Sequence, residues 1–192
     1  RVRLPLPGLY NVYNALAAAT LCHALGVPAA TIAAGLEGAL PAWGRFERIA
    51  VGGKTVVLLL VKNPAGANEA VRTLLAGAAP PPLVLVALND ATADGRDVSW
   101  IWDVDFEPLL DGVERLVASG DRAAELALRF RYGGMAEERL EVEPDLARAL
   151  ARALELTPDG GELVVLPTYT AMLALRAIVA GQGHVRNFWE AA

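Results

Sequence analysis

Cysteine is nearly absent from this chain. Cys22 is the only one in 192 residues, so no internal disulfide framework can form. With two histidines, His23 and His184, a Cys/His zinc set cannot be assembled either. There is no Lys/Arg run, and a net charge of -5 with a pI near 5.1 argues against non-specific nucleic-acid binding. Apolar runs are too short or too interrupted to span a bilayer and no signal peptide is visible, so a cytoplasmic protein without a transmembrane segment is expected. The familiar catalytic signatures are missing too. There is no Ser/His/Asp order, no Gly-x-Ser-x-Gly, no Gly-x-Gly-x-x-Gly and no Walker A loop. Cys22 and His23 are adjacent on a predicted helix, where neighbours point about 100° apart, so they make a poor dyad. Cys22 reads as a buried inert thiol, and both histidines as structural or surface residues.

What is present is a large apolar fraction, 54%, enough to bury a sizeable core. Pro5-Leu6-Pro7-Gly8 leads into a helix over about 10–25, started by Gly8 or Asn11 and stopped by Gly26 and Pro28. Asn11 and Asn14 share one face of it, as caps or as readers of a polar ring. A second short Ala-rich helix covers about 28–40, and the stretch 41–48 is the predicted domain boundary. Strands over 47–51 and 55–61 form a hairpin around Gly52-Gly53. From residue 55 to 180 strands and helices alternate: strands at 83–88, 113–118, 140–142 and 162–166, helices ending near 75, 132, 156 and 180. That alternation predicts an α/β fold of right-handed βαβ units with a mostly parallel sheet and flanking helices, preceded by a short helical piece. Pro144 is read as the first helical residue of the third of these helices, and 79–82 as a rigid bend.

Two stretches carry chemistry. Lys62-Asn63-Pro64-Ala65-Gly66-Ala67-Asn68-Glu69 joins a strand end to a helix N-terminus, where backbone N–H groups favour an anion; Lys62 and those amides serve a ligand or simply cap the helix. Residues 94–107 gather five carboxylates, one arginine and three aromatics into fourteen positions, just after the apolar run Leu83–Leu88. In open α/β sheets, loops at that edge are where ligands and catalytic groups collect. A carboxylate without a nucleophile orients a histidine, holds a metal or pairs with an arginine, and the histidine can belong to another chain.

Gly8-Leu9-Tyr10-Asn11-Val12-Tyr13-Asn14-Ala15-Leu16 resembles the segment that closes the central ATPase domain of Mur ligases, and Gly44-Arg45-Phe46-Glu47 resembles the start of their C-terminal domain. The resemblance narrows at Lys62–Glu69, at Asp94-Gly95-Arg96-Asp97-Val98-Ser99-Trp100-Ile101-Trp102-Asp103 and at Leu166–Leu173, which are similar to the MurT family, the Mur-ligase-like subunits of lipid II isoglutaminyl synthase. That resemblance implies that residues 1–42 end an ATPase domain and 43–192 form the C-terminal Rossmann-like domain of a longer chain; the abrupt start at Arg1 fits such a piece. It also implies a half-enzyme. ATP and Mg²⁺, held mainly by the ATPase domain, activate the α-carboxylate of D-glutamate in a lipid II-type stem peptide, and a glutaminase partner, GatD, supplies ammonia. Many such subunits carry zinc-ribbon cysteines upstream; no zinc or other metal site is expected within these residues.

In that family the glutaminase takes the third member of its triad, an aspartate, from the ligase subunit. The resemblance puts that role on Asp97, with Asp94 and Asp103 as the other candidates, Asn14 or Asn11 near the adenine, and Lys62, Asn63 and Asn68 on the substrate or nucleotide side of the cleft. Two alternatives stand beside this reading. One is a non-catalytic Rossmann-like binding module with the acidic loop as docking surface. The other is the terminal domain of an ordinary amino-acid-adding Mur ligase, against which Lys62-Asn63-Pro64 stands where such ligases carry an Asp and a His before Asn-Pro.

Overall fold

The fold comes from a computed structural model, which describes residues 1–77 and 80–183; His184 and Ala79 lie outside the described residues. Two helices come first, α1 (Leu9–Ala24) and α2 (Ala29–Glu37). A six-stranded sheet follows, built from β1 (Arg45–Val51), β2 (Lys54–Leu59), β3 (Leu83–Ala87), β4 (Arg115–Ser119), β5 (Leu140–Val142) and β6 (Glu162–Pro167). Its order is β1-β2-β6-β3-β4-β5. The β1–β2 hairpin is antiparallel and every other pairing is parallel, as the alternation predicts. The connecting helices are α3 (Pro64–Leu75), α4 (Glu107–Gly112), α5 (Ala123–Tyr132), α6 (Leu146–Leu156) and α7 (Tyr169–Gly181).

The central strands read as near-continuous apolar runs, β3 throughout and β6 after Glu162, because both faces are covered. Val84, Val86, Leu116, Ala118, Val164 and Leu166 face one core, shared with α3, α4 and α5. Their neighbours Leu83, Leu85, Val117, Leu163 and Val165 face the other, shared with α6 and α7. The period of two that separates the sets is the strand pleat itself. Each such Leu or Val, fully buried, contributes about 1.5–3 kcal/mol. Helix α6 shows the complementary logic: Leu146, Ala149, Leu150 and Ala153 repeat at helical spacing on its buried side, while Arg148 and Arg152 pair outward with Glu143 and Glu141.

Several expectations shift. Residues 99–103, anticipated as loop, form a 3-10 helix, and α4 follows it directly. Pro144 is not the first helical residue: Asp145 is the N-cap, its carboxylate accepting the Arg148 N–H at 2.8 Å, so the proline stands one place outside. Of the two starts offered for α1, Gly8 holds and Asn11 does not. Gly8 is its N-cap, and the Asn11 amide donates back to the Pro7 carbonyl at 2.6 Å. Cys22 is half-buried rather than buried, in a shallow groove between α1 and α2. Neither of these helices has a fully buried residue, and Leu9, Tyr13, Leu16 and Leu21 of α1 are exposed. No helix of the described residues is long and apolar enough to cross a membrane.

Candidate functional site

The C-terminal ends of β2, β6, β3 and β4 point to one edge of the sheet, and the loops carrying the predicted site residues leave from it. After β3 the chain enters a tight turn in which the N–H groups of Asp94 and Gly95 both donate to the Ala91 carbonyl. This turn delivers Asp94 inward. The residue is only 9% exposed, and its carboxylate accepts two bonds from Thr170 in the first turn of α7: the backbone N–H at 2.8 Å and the hydroxyl at 2.5 Å. An acidic group there is favoured twice, by the unpaired helix N–H and by the positive end of the helix dipole.

Asn89, buried beside it, ties three strand ends together. Its side-chain NH₂ donates to the Thr170 hydroxyl at 3.0 Å, its backbone N–H donates to the Thr168 hydroxyl at 3.0 Å, and its side-chain oxygen accepts the Asp121 N–H at 3.1 Å. The turn after β4 passes so close that only glycine fits: Gly120 has φ +90°, and a Cβ on it would meet the Leu88 carbonyl oxygen at 2.6 Å. Sequence reasoning missed Asn89, Thr168 and Thr170. Their signal, small polar residues directly after apolar strands, is one that any loop shows.

Asp97 is placed quite differently. It is exposed, and it accepts the Ser99 N–H at 2.8 Å, opening the 3-10 helix. The Ser99 hydroxyl and then its backbone N–H hold the Asp97 carboxyl below the usual carboxylate range, so at neutral pH it is an anion facing solvent. Among the described residues Ser99 is its one hydrogen-bond partner. Val98, immediately after it, is buried in the core and keeps the chain from swinging. Asp103 is exposed at the end of the 3-10 helix, and its side chain makes no hydrogen bond or ion pair with other described residues. The three acids named from sequence are therefore chemically distinct: Asp94 is consumed internally, Asp97 is presented, and Asp103 is simply solvated.

The aromatics of the same segment divide. Trp100 packs partly against the core, whereas Trp102 is 48% exposed and meets Tyr132, 77% exposed, edge to face at 5.7 Å. Beneath them Arg129 is buried. It donates to the Ile101 and Val104 carbonyls at 3.1 and 2.7 Å and pairs with Glu107 at 2.8 Å. That arginine holds the 3-10 helix to α5.

At the end of β2 the amides anticipated as ligand contacts are engaged by the protein. Asn63 is the N-cap of α3 and accepts the Gly66 N–H at 2.8 Å. Asn68 accepts the Asp105 N–H at 2.8 Å and donates to the Asp103 carbonyl at 3.5 Å, so it braces the acidic segment. Lys62 is exposed, with no hydrogen bond or ion pair to other described residues. Close by lies a largely apolar cleft of 250 Å³ between α1 and the start of the sheet, lined by Tyr10, Arg45, Phe46, Leu60, Gly66 and Glu69. Asn11 and Asn14 do not line it; the Asn14 amide faces Asn11 at 3.5 Å.

One wall of that cleft is a strained elbow. Gly44 (φ +66°) and Phe46 (φ +58°) both sit in the left-handed region, and β1 bulges between Arg45 and Glu47. A Cβ on Gly44 would strike the Met172 sulfur. Glu47 clamps the elbow, accepting the Gly44 N–H at 2.9 Å and Arg176 at 2.7 and 3.0 Å; Arg176 also lies over the Trp43 ring at 5.4 Å. No three acid, histidine or cysteine side chains of the described residues gather closely enough to hold a metal.

Comparison with known proteins places this geometry in a lineage. Residues 60–172, from the end of β2 into α7, match a family model described as MurT ligase C-terminal. The chain is 38% identical over 186 residues to the lipid II isoglutaminyl synthase (glutamine-hydrolyzing) subunit MurT of Streptococcus pneumoniae, covering 96% of this chain and 41% of that one. It is 37% identical over 172 residues to the subunit of that name from Staphylococcus aureus, covering 88% and 38%. The chain thus spans about two fifths of the length of these relatives. Among solved structures, MurF from Acinetobacter baumannii superposes with a TM-score of 0.70 at 27% identity, covering 94% of this chain and 39% of that one. Mycobacterium tuberculosis folylpolyglutamate synthase, complexed with ADP and AMPPCP, superposes with a TM-score of 0.67 at 25% identity, covering 92% and 42%. By sequence and by fold, the chain belongs to the MurT ligase C-terminal family.

Proposed function

We propose that this chain is the C-terminal part of the ligase subunit of a lipid II isoglutaminyl synthase, which uses ATP to amidate the α-carboxylate of D-glutamate in the peptidoglycan stem peptide. Residues 43–192 act as the Rossmann-like docking domain for a glutaminase of the GatD type, and residues 1–42 as the end of the ATPase domain. In this reading ATP and Mg²⁺ are held chiefly by that ATPase domain, and the enzyme works on the cytoplasmic side of the membrane. The family membership and the relatives' printed names, which describe a glutamine-hydrolysing enzyme with a MurT subunit, support the assignment.

The observation that carries the partner's share of the chemistry is Asp97: an exposed anion on an anchored loop, with no histidine on the elements around it. His23, on α1, is the one histidine among the described residues. Such a carboxylate suits a histidine brought by a partner, whose ring N–H it accepts and whose protonated form it stabilises. The cleft beside Tyr10, Arg45 and Phe46, rather than Asn11 or Asn14, is the better candidate for the nucleotide side, and folylpolyglutamate synthase, a fold neighbour, was solved with ADP and AMPPCP.

A second reading, docking without catalysis, draws on the exposed Trp102–Tyr132 pair, since paired aromatics are typical interface anchors. Glutamine hydrolysis by the partner separates the two. The first reading expects Asp97→Asn to lose the activation while binding persists. Docking alone expects activation to survive that change.

A further inference from the structure

The crevice between the ends of β6 and β3 is where an open α/β sheet usually receives a ligand, because the loops there leave toward opposite faces: β6 runs into α7, β3 toward the 3-10 helix and α4. In this chain the crevice is filled from within. The carboxylate of Asp94 occupies the anion position at the N-terminus of α7, a helix of 13 residues, with both oxygens engaged by Thr170. Thr170's hydroxyl is saturated in turn, donating to Asp94 and accepting from Asn89.

Asp94 stands three residues before Asp97, and the link between them has little packing of its own. Gly95 has φ +93°, no atom lies within 4 Å of where its Cβ would be, and Arg96 is exposed. Asp97 is therefore suspended between two anchors, the Asp94–Thr170 contact upstream and buried Val98 downstream. Ser99, its one hydrogen-bond partner among the described residues, belongs to the same loop and fixes only local geometry. We propose that the Asp94–Thr170 pair, braced by Asn89, is a latch that sets the reach of Asp97 toward the partner's active site. Asp94 and Thr170 are positioning residues; neither touches substrate. The inference rests on Asp97 being the acid donated to the glutaminase.

The arrangement separates two jobs that similar acids in one loop could share. Asp94 cannot orient a partner's histidine, because it is nine-tenths buried and both its oxygens are occupied. Among the described residues Asp97 has no hydrogen bond that ties it to the sheet. With the latch open, the acid remains ionised and exposed but loses its fixed position, and a misplacement of about 1 Å can cost on the order of a hundredfold in rate.

The test uses the complete ligase subunit with its glutamine-hydrolysing partner, with kcat and KM for glutamine, complex affinity and the pH profile measured for Thr170→Val, Thr170→Ser and Asp97→Asn. Valine keeps the volume and the backbone N–H but removes the hydroxyl; serine keeps both bonds. Thr170→Val is expected to lower kcat by about tenfold or more, with KM and affinity within about twofold and wild-type behaviour for Thr170→Ser. A histidine deprived of its carboxylate also becomes a weaker base, so the acid limb of kcat/KM moves to lower pH in Thr170→Val, in the direction that Asp97→Asn moves it. A fall in kcat without that movement, a loss of complex formation, or no change while Asp97→Asn is inactive overturns the latch. Full activity of Asp97→Asn overturns the assignment of the acid, and the latch with it.

Discussion

Replacing Arg176 by methionine isolates the energetics of the clamp that holds the elbow between α1–α2 and the sheet. The pair is nearly dry: the Arg176 and Glu47 side chains are 8% and 15% exposed. Arg176 makes two short bonds to one Glu47 oxygen and a third, at 3.1 Å, to the other, which also accepts the Gly44 N–H. Methionine retains much of the aliphatic bulk against α7 and leaves Glu47 as a buried, uncompensated anion. Breaking a buried pair from one side costs about 3–5 kcal/mol, because the desolvation penalty of the remaining charge is no longer offset. The left-handed backbone at Gly44 and Phe46 loses its brace as well, so the upper half of that range is expected. Urea unfolding followed by far-UV circular dichroism gives the free energy directly, and in a chain of this size the loss appears as a fall in Tm of roughly 8–20 °C. Glu47→Gln combined with Arg176→Met removes the stranded charge and recovers part of the loss. A single-variant cost below about 1 kcal/mol would show that the pair behaves as a solvated surface one and not as a buried clamp.

Gly120→Ala tests the close passage after β4. Its φ of +90° and a Cβ 2.6 Å from a backbone oxygen predict a destabilisation of about 1–3 kcal/mol in the same urea assay. The acid limb of stability tests the edge at β5. Hydrogen bonding to Arg152, with smaller help from the charges of Arg152 and Arg115, lowers the Glu141 pKa from its ordinary 4.5. A lowered folded-state pKa means stability fully present above 4.5 and lost as pH falls through the folded value. Urea midpoints of the wild type and Glu141→Gln therefore converge as pH drops below 4.5, the wild type losing more. Parallel midpoints through that window contradict the pairing.

Much of the fold is legible in the chain because local signals and global burial agree. Gly52-Gly53 carries the hairpin, apolar runs bounded by turn residues mark the strands, and Leu140–Val142 emerges as predicted despite its length. The 3-10 helix and α4 are not legible, since five and six residues are too few to show a period and Pro108 interrupts the pattern. Pro144 misleads because a proline one place before the cap looks like one at the first helical position; the Asp145 carboxylate decides between them. At the site, residue type and spacing identify the acidic loop but cannot rank its members. What separates Asp94 from Asp97 is Thr170, 76 residues downstream, and what fixes the elbow is a pair 129 residues apart. Asn63 and Asn68 show the same limit: their side-chain oxygens accept backbone N–H groups of α3 and of the acidic segment, a bracing role that residue type and spacing do not reveal.

The donation of Asp97 to the partner's active site is tested by the rate of glutamine hydrolysis by the partner subunit, alone, with the wild-type ligase subunit and with its Asp97→Asn variant, alongside the affinity of each complex. An amide in place of the carboxylate keeps the size and the Ser99 contact but removes the charge that stabilises a protonated histidine, and loss of such an acid costs about ten-thousandfold in kcat where it has been isolated. The expected result is activation by the wild type, unchanged affinity for Asp97→Asn, and a loss of most of the activation with it. Full activation by Asp97→Asn at equal affinity would contradict it, and leave this loop as a docking surface.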